Sequence, residues 1–521
     1  MKKQETRLVQ GFGPFRAVSS AVSSAVPLWR AALSPQDWQG LAATLRQRGG
    51  RLLGLWAEAM TERQLRIHAL YLSGAACLWC SLDWDGDGAG YPTLSQIFPT
   101  ASRQERAIAD LLGVRAEGNK DLRPWLRHAA WPESFFPLRI GQLPVEELGV
   151  QGDSSYAFQQ LPSDDLHEIP VGPVHAGTIE PGHFRFTCLG EQVLQLEERL
   201  GYTHKGTEWL FRGKDPLAGT PLAGRVSGDS TVAYAWAYVM AVENIAEFQP
   251  PARALALRGL FAERERLANH LGDLGALGND AGFAFALTQL LAIKEELLRE
   301  NDEVFGHRYL MDLIQPGGIA RDLSPAAGLR LRQSAGRWQA RLQDLELLLH
   351  EHAGLRDRLV GTGSISPERA YHWGMGGMAG RASGQAWDLR VQFTPAPYGK
   401  FPVDIALATT GDVAARWAVR FQEIYASLRW QDTLLNALPE GSCQAPLRVP
   451  EDGEGLGIVE GWRGEVFVAL RLESGRIARC HPHDPSWSLW PVLEEAVLQD
   501  IVADFPLINK SFNLSYSGHD L

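Results

Sequence analysis

Residues 224–251 read GRVSGDSTVAYAWAYVMAVENIAEFQPP, a loop that turns into a long apolar helix. Asp229 or Ser230 supplies the side-chain oxygen that caps the first free backbone N–H groups. The helix then runs to about Phe248 and stops before Pro250-Pro251, because proline has no N–H and disfavours helical geometry in the residue before it.

Outward from that stretch the downstream pattern stays helical. Helices are expected over about Ala252 to Leu274, Phe283 to Val304, Pro325 to Leu359, Asp412 to Leu438 and Val492 to Ala503, with Gly317-Gly318 and Gly374-Met375-Gly376-Gly377 as connectors. Upstream, Val171 to Leu196 reads as strand-rich, with His183-Phe184-Arg185-Phe186-Thr187-Cys188 alternating across two faces. The stretch from about Gly141 to Ile169, with Gly152, Asp153, Ser154, Pro162 and Ser163, reads as a linker. The first ~140 residues alternate apolar and polar positions between turns, as in Gly74 to Asp83 and the Asp85-Gly86-Asp87-Gly88 turn. The expected fold is α+β: a small α/β domain over 1–140, a linker over 141–169, and a large, mainly helical domain over 170–521 that opens with a short β-rich segment.

Composition narrows the function classes. The 521 residues are too many for one core and imply two or three domains. A formal charge of -11 argues against wrapping nucleic acid, which needs a clustered basic face. Seventeen Trp residues imply large cores or interfaces. Five cysteines form no disulfide framework and fit a reducing compartment. Cys77 and Cys80 lie three apart on an expected strand, so they point to opposite faces and cannot share a metal. After Lys2 and Lys3 no signal-peptide stretch follows, and the longest apolar helix, around Ala281 to Ile293, is far short of the roughly 20 residues a bilayer requires. Membrane work would need other subunits as anchors. No glycine fingerprint for a dinucleotide follows a strand.

Two sets of motifs carry a resemblance. Residues 91–126, YPTLSQIFPTASRQERAIADLLGVRAEGNKDLRPWL, resemble the small subunit of respiratory complex I that is often fused to its neighbour. From Gly172 onward, GPVHAGTIEPGHFRF (172–186), GYTHKGTEWL (201–210), ERERLANHL (263–271), QPGGIARDL (315–323), GTGSISPERA (361–370) and GRASGQAWDLR (380–390), with the opening stretch, fall in the order of the nickel–iron hydrogenase large subunit and its complex I relative, the quinone-site subunit. The fused order is most similar to the large subunits of hydrogenase-4 and formate-hydrogenlyase complexes.

The resemblance implies chemistry that these residues alter. Nickel in such hydrogenases sits on four thiolates from two Cys-x-x-Cys pairs, soft ligands that a serine hydroxyl cannot replace. Aligned on Arg225-Val226 the first pair falls at Ser227 and Ser230, and aligned on Pro506-Leu507-Ile508 the second falls at Ser515 and Gly518. No metal is therefore expected, and a small polar cavity is expected where it would sit. The chain also ends at Leu521, without the C-terminal tail that nickel-bearing members lose on maturation. In the quinone-site relative a tyrosine and a histidine hold the headgroup; their places fall at Gly228 and Pro181, with His183 two residues further on. The arginine of the His204-Lys205-Gly206 motif becomes Lys205, which keeps charge without the planar fork.

Candidate catalytic residues are Glu208, Arg225 and Asp229. Candidate acceptor-pocket residues are His183, His204, Ser227, Gly228, Ser230, Arg381, Asp388, Ser515 and Gly518. Glu208 and Arg225 could equally form a buried ion pair, His270 a hydrogen-bonded interface group, and Arg381 with Asp388 a turn brace. The resemblance implies no cofactor on this chain apart from a possible quinone, a 4Fe–4S cluster in a partner iron–sulfur subunit, and antiporter-like membrane subunits on the cytoplasmic side of the membrane. The chain is expected either to pass electrons to quinone or another small acceptor, coupled to ion translocation, or to serve as an inactive scaffold.

Overall fold

A computed structural model describes residues 15–18, 28–74, 76–86, 90–141, 156–176 and 179–521. Asp87 and Gly88 of the expected turn and the 142–155 part of the linker lie outside the described residues.

The chain opens on a five-stranded sheet built from β1 (Arg16–Val18), β2 (Leu28–Ala32), β3 (Arg51–Ala59), β4 (Leu65–Ser73) and β5 (Ala76–Trp84), in the order β1-β2-β5-β4-β3. Only β2 and β5 pair in parallel, across the crossover helix α1 (Pro35–Gln47). Alternation sorts the side chains of β5. Cys77 and Trp79 pack towards Phe467 and Leu456, whereas Leu78 and Cys80 pack on the side of α1 and α2 (Ala101–Leu112). The two cysteines therefore face apart, as their spacing requires.

Next comes an antiparallel sheet of β6 (His167–Val171), β7 (His183–Leu189) and β8 (Gln192–Arg199). Helices follow: α3 (Thr231–Ile245), α4 (Ala252–Asp280), α5 (Ala284–Phe305), α6 (Pro325–Glu351) and α7 (Val413–Asn436). The expected single helix over Pro325 to Leu359 is two. It breaks at His352, whose Nδ1 accepts the Leu355 N–H at 2.9 Å and starts a new helix, Ala353–Leu359.

The sequence reading missed the last sheet, an antiparallel meander of β9 (Gly453–Glu460), β10 (Glu465–Glu473) and β11 (Arg476–His483). Its signal is the alternation Gly453, Gly455, Gly457. These glycines let the strand lie directly on α3. A Cβ on Gly457 would meet the Ala237 carbonyl oxygen at 1.9 Å, and one on Gly455 the Ala241 carbonyl oxygen at 2.1 Å. Asn244 Nδ2 also donates to the Leu456 carbonyl at 2.6 Å. Buried on nearly all sides by this sheet and by α4, α3 needs no polar face.

The chain ends with α8 (Ser486–Ala496), α9 (Phe505–Phe512) and α10 (Tyr516–Asp520). The first starts six residues before the expected Val492 and contains Pro491, a residue that reads as a breaker.

Candidate functional site

The segment that decides the fold also positions the site. Neither Asp229 nor Ser230 caps α3. The carboxylate of Glu265 on α4 does so from outside, accepting the Val232 N–H at 2.7 Å and the Ala233 N–H at 3.2 Å. Burial outweighs those two donors and pushes the Glu265 carboxyl up to about 8. Asp229 is freed for another task. Its backbone carbonyl accepts from Asn269 Nδ2 (2.8 Å) and Trp462 Nε1 (2.9 Å), which fixes the loop.

The loop side chains meet the other end of the chain. Ser515 Oγ and Ser227 Oγ are 2.8 Å apart, across 288 residues of sequence. Ser227 gives its one proton to Asp229 Oδ1 at 2.8 Å, so it accepts from Ser515 Oγ, which itself accepts the Gly518 N–H at 2.8 Å. The result is a directed chain, Ser515 to Ser227 to Asp229. Arg463, in the turn between β9 and β10, donates to Asp229 Oδ2 at 2.6 Å. Burial alone would raise the Asp229 carboxyl, but Arg463 and the two hydroxyls outweigh it and hold it below the usual range.

This chain forms one wall of a cleft of about 610 Å³. Ser227, Gly228, Asp229 and Ser515 line it together with Lys510, Asp280 and Glu180, while Val171, Ile179, Phe184, Phe505, Pro506 and Leu514 supply an apolar surface. Gly228 faces open space: a Cβ there would meet nothing within 4 Å.

Other sequence candidates lie elsewhere. His183 alternates with Phe184 on β7, so Phe184 reaches the cleft while His183 turns away, its Nδ1 3.2 Å from the Gly172 carbonyl. Glu208 and Arg225 are not partners. Glu208 pairs with Arg479 (2.7 Å) and His481 (2.6 Å), which offset its burial and hold it at about 2. Arg225 forms a two-pronged pair with Asp312, both half-exposed. His204 and Glu208 line a separate interior void of only about 30 Å³. Arg381 and Asp388 are wholly buried in an ionic network that links Glu423, Glu460 and Arg390, and do not reach the cleft. His270 Nε2 donates to the Glu423 carboxylate at 2.8 Å within the same network, an interior rather than an interface position.

The expected small polar cavity is also corrected. The space beside Ser230 and Gly518 is filled: Arg463 Nη1 lies 3.4 Å from Ser230 Oγ, and a Cβ on Gly518 would strike Asp484 Oδ2 at 2.3 Å. Sequence reasoning missed Arg463, Asp484 and Lys510. Arg463 lies between Gly461 and Gly464, and a charge in a hairpin tip reads as a solvated surface group.

Comparison with known proteins places the chain. A family model described as the respiratory-chain NADH dehydrogenase 49 kDa subunit matches residues 280–448, and one for the 30 kDa subunit matches residues 31–142. Formate hydrogenlyase subunit 5 of Escherichia coli (strain K12) is 30% identical over 480 residues, covering 88% of this chain and 83% of that protein. The chain belongs to the family of these complex I and formate hydrogenlyase subunits. Within it, hydrogenase-4 component G of the same organism is 29% identical, covering 88% of this chain and 82% of that protein. A solved structure titled as the membrane-bound sulfane sulfur reductase, an archaeal respiratory membrane complex, shares the fold, with a TM-score of 0.64 and 24% identity over 70% of this chain and 100% of that one.

The cleft's own donor set bears on what it can hold. No cysteine lines the cleft, and among the described residues no group of three or more His, Cys, Asp or Glu could hold a metal ion. Hydroxyls, carboxylates and a guanidinium are hard groups that do not fit a thiolate-bound nickel. No helix among the described residues is long and apolar enough to cross a membrane.

Proposed function

We propose that this chain is the large electron-transfer subunit of a complex I-like, hydrogenase-4-like membrane oxidoreductase, and that its cleft takes quinone or another small acceptor. Electrons would arrive from a 4Fe–4S cluster in a partner iron–sulfur subunit. Antiporter-like membrane subunits would hold the chain at the cytoplasmic face and translocate ions. The observation that carries the reading is the Ser515–Ser227–Asp229 chain opening onto a cleft with one apolar surface and one polar one. Such a two-faced cleft suits a flat, partly apolar molecule with polar edges.

The residues support the chemistry as follows. Reduction adds two electrons and two protons to a quinone, so negative charge develops on its oxygens. Lys510 offers a donor to that charge. Asp229 and the serine hydroxyls offer acceptors to the newly formed O–H groups. An anion developing beside Asp229 also raises the affinity of its carboxylate for a proton, which couples electron arrival to proton uptake.

Gly228→Trp provides the test, made in the complex purified with its co-isolated subunits. The open space at Gly228 lets an indole enter the cleft without disturbing packing. Full assembly with loss of acceptor reduction is the expected result. Full assembly with unchanged turnover would show that the acceptor binds elsewhere. Purification without any iron–sulfur or membrane partner would overturn the reading altogether.

A further inference from the structure

Arg463 sits where the four family motif positions converge, and its surroundings describe a cation site already filled. Its side chain is 3% exposed. The guanidinium gives Nε to the Asn513 carbonyl (2.6 Å), Nη2 to Asp229 Oδ2 (2.6 Å) and Nη1 towards Ser230 Oγ (3.4 Å). One flat face rests on Trp462, with the guanidinium carbon 4.0 Å from the ring centroid. Asp484 also acts on it electrostatically, and is held in place by the Tyr234 hydroxyl and the Ser486 N–H, each at 2.8 Å. Asp229 and Ser230 thus touch one buried positive charge directly, Asp484 and Asp273 act on it from further off, and Ser227 and Ser515 extend the oxygen cluster behind Asp229.

We propose that Arg463 is a built-in cation that holds this oxygen-rich cluster together in place of a metal ion and keeps metal ions out. The cluster's own composition argues for it. Carboxylates whose fields meet at one buried point, as those of Asp229, Asp484 and Asp273 do, need a compensating positive charge, and a divalent cation or a guanidinium can each supply it. Arg463 supplies it covalently, so no metal has to be acquired. Because the ligands left behind are all hard oxygens, removal of the guanidinium opens a vacancy suited to a hard divalent ion rather than to nickel on sulfur. Arg463 is then a positioning residue: it fixes Asp229 at the cleft wall in ionised form. The inference deepens the acceptor reading but stands on a separate measurement, since metal binding requires no electron flow.

The test is Mn2+ binding to the full-length chain, followed by electron paramagnetic resonance. Arg463→Ala is expected to bind one Mn2+ per chain at least about tenfold more tightly than the wild type, through hard oxygen ligands. Arg463→Met fills more of the space and is the variant to use where the alanine form does not fold; it should also gain Mn2+ affinity. Adding Asp229→Asn to either should abolish the gain. Folded Arg463→Ala and Arg463→Met that bind Mn2+ no better than the wild type would overturn the proposal. So would a double variant that binds as well as the single one, because the metal would then lie elsewhere.

Discussion

Asp229 is the carboxylate of the proposed acceptor cleft, and its charge is set by its neighbours. Arg463, Ser227 and Ser230 all favour the ionised carboxylate. Asp229→Asn keeps the shape, loses the charge, and leaves Arg463 without its carboxylate. Acceptor reduction by the purified complex should fall by about 10²-fold or more, as expected for loss of a group that manages a proton in the transition state. A variant that turns over like the wild type across the pH range would remove Asp229 from the chemistry. Ser227, Asp229 and Ser515 were legible in the sequence because they sit at fixed spacings within recognisable motifs. Arg463 and Asp484 were not. They reach the cluster from a strand turn and a loop more than 200 residues from Asp229, and nothing local marks either as a partner. Glu208 and Arg225, catalytic candidates that could equally have formed a buried ion pair, are given different partners by the fold.

At the scale of elements, the capping of α3 by a residue on α4 is the least expected arrangement. Serine or aspartate at a helix start normally serves its own helix, but here Asp229 faces the cleft and Ser230 faces the buried Arg463. Glu265→Ala would leave the Val232 and Ala233 N–H groups buried without acceptors, at a cost of about 1–3 kcal/mol in chemical denaturation at neutral pH. Glu265→Gln keeps an acceptor and should cost less. The pH dependence separates the two roles of the carboxyl. Its folded value, about 8, lies above that of an unfolded glutamate, so its contribution is full in acid and is lost as pH rises towards and through 8. Stability of the wild type should therefore decline between pH 6.5 and 8.5 more than that of Glu265→Gln. Equal slopes would show that Glu265 is already ionised at neutral pH. The long helices were legible from periodicity and from the Pro and Gly that bound them. The β9–β11 meander was not, although Val466-Phe467-Val468 in β10 carries the residue types of a strand, because the glycines of β9 read as a loop leading into it.

For the whole molecule, the early and late parts of the sequence are locked face to face. Trp56 of β3 is sandwiched between His68, 5.1 Å away, and His481, 5.0 Å away, and each histidine touches a glutamate held by an arginine. On one side Glu58 meets His68 (3.0 Å) and Arg471 (2.8 Å); on the other Glu208 meets His481 and Arg479. Arg51–Glu465 and Arg30–Glu454 add further links between the same two sheets. Glu58 and Glu208 each stay ionised down to about 2, and burial lowers His481 as well. All three contribute stability that is present at neutral pH and lost on acidification: His481 from about 6.5 downward, the glutamates from about 4.5 to 2. Hydrogen exchange at pH 7 and pH 4 should show β3 and β11 losing protection first in acid. Loss that begins instead at α3 and α4 would place the acid-labile point elsewhere. The seat of α3 on β9 is of a different kind from these ionic locks. Main chain rests on main chain at Gly455 and Gly457, with the Ile245 side chain beside the former. A side chain at either glycine would strike the helix backbone, so this seat tolerates no drift in size and α3 is held at its middle by the peptide chain itself.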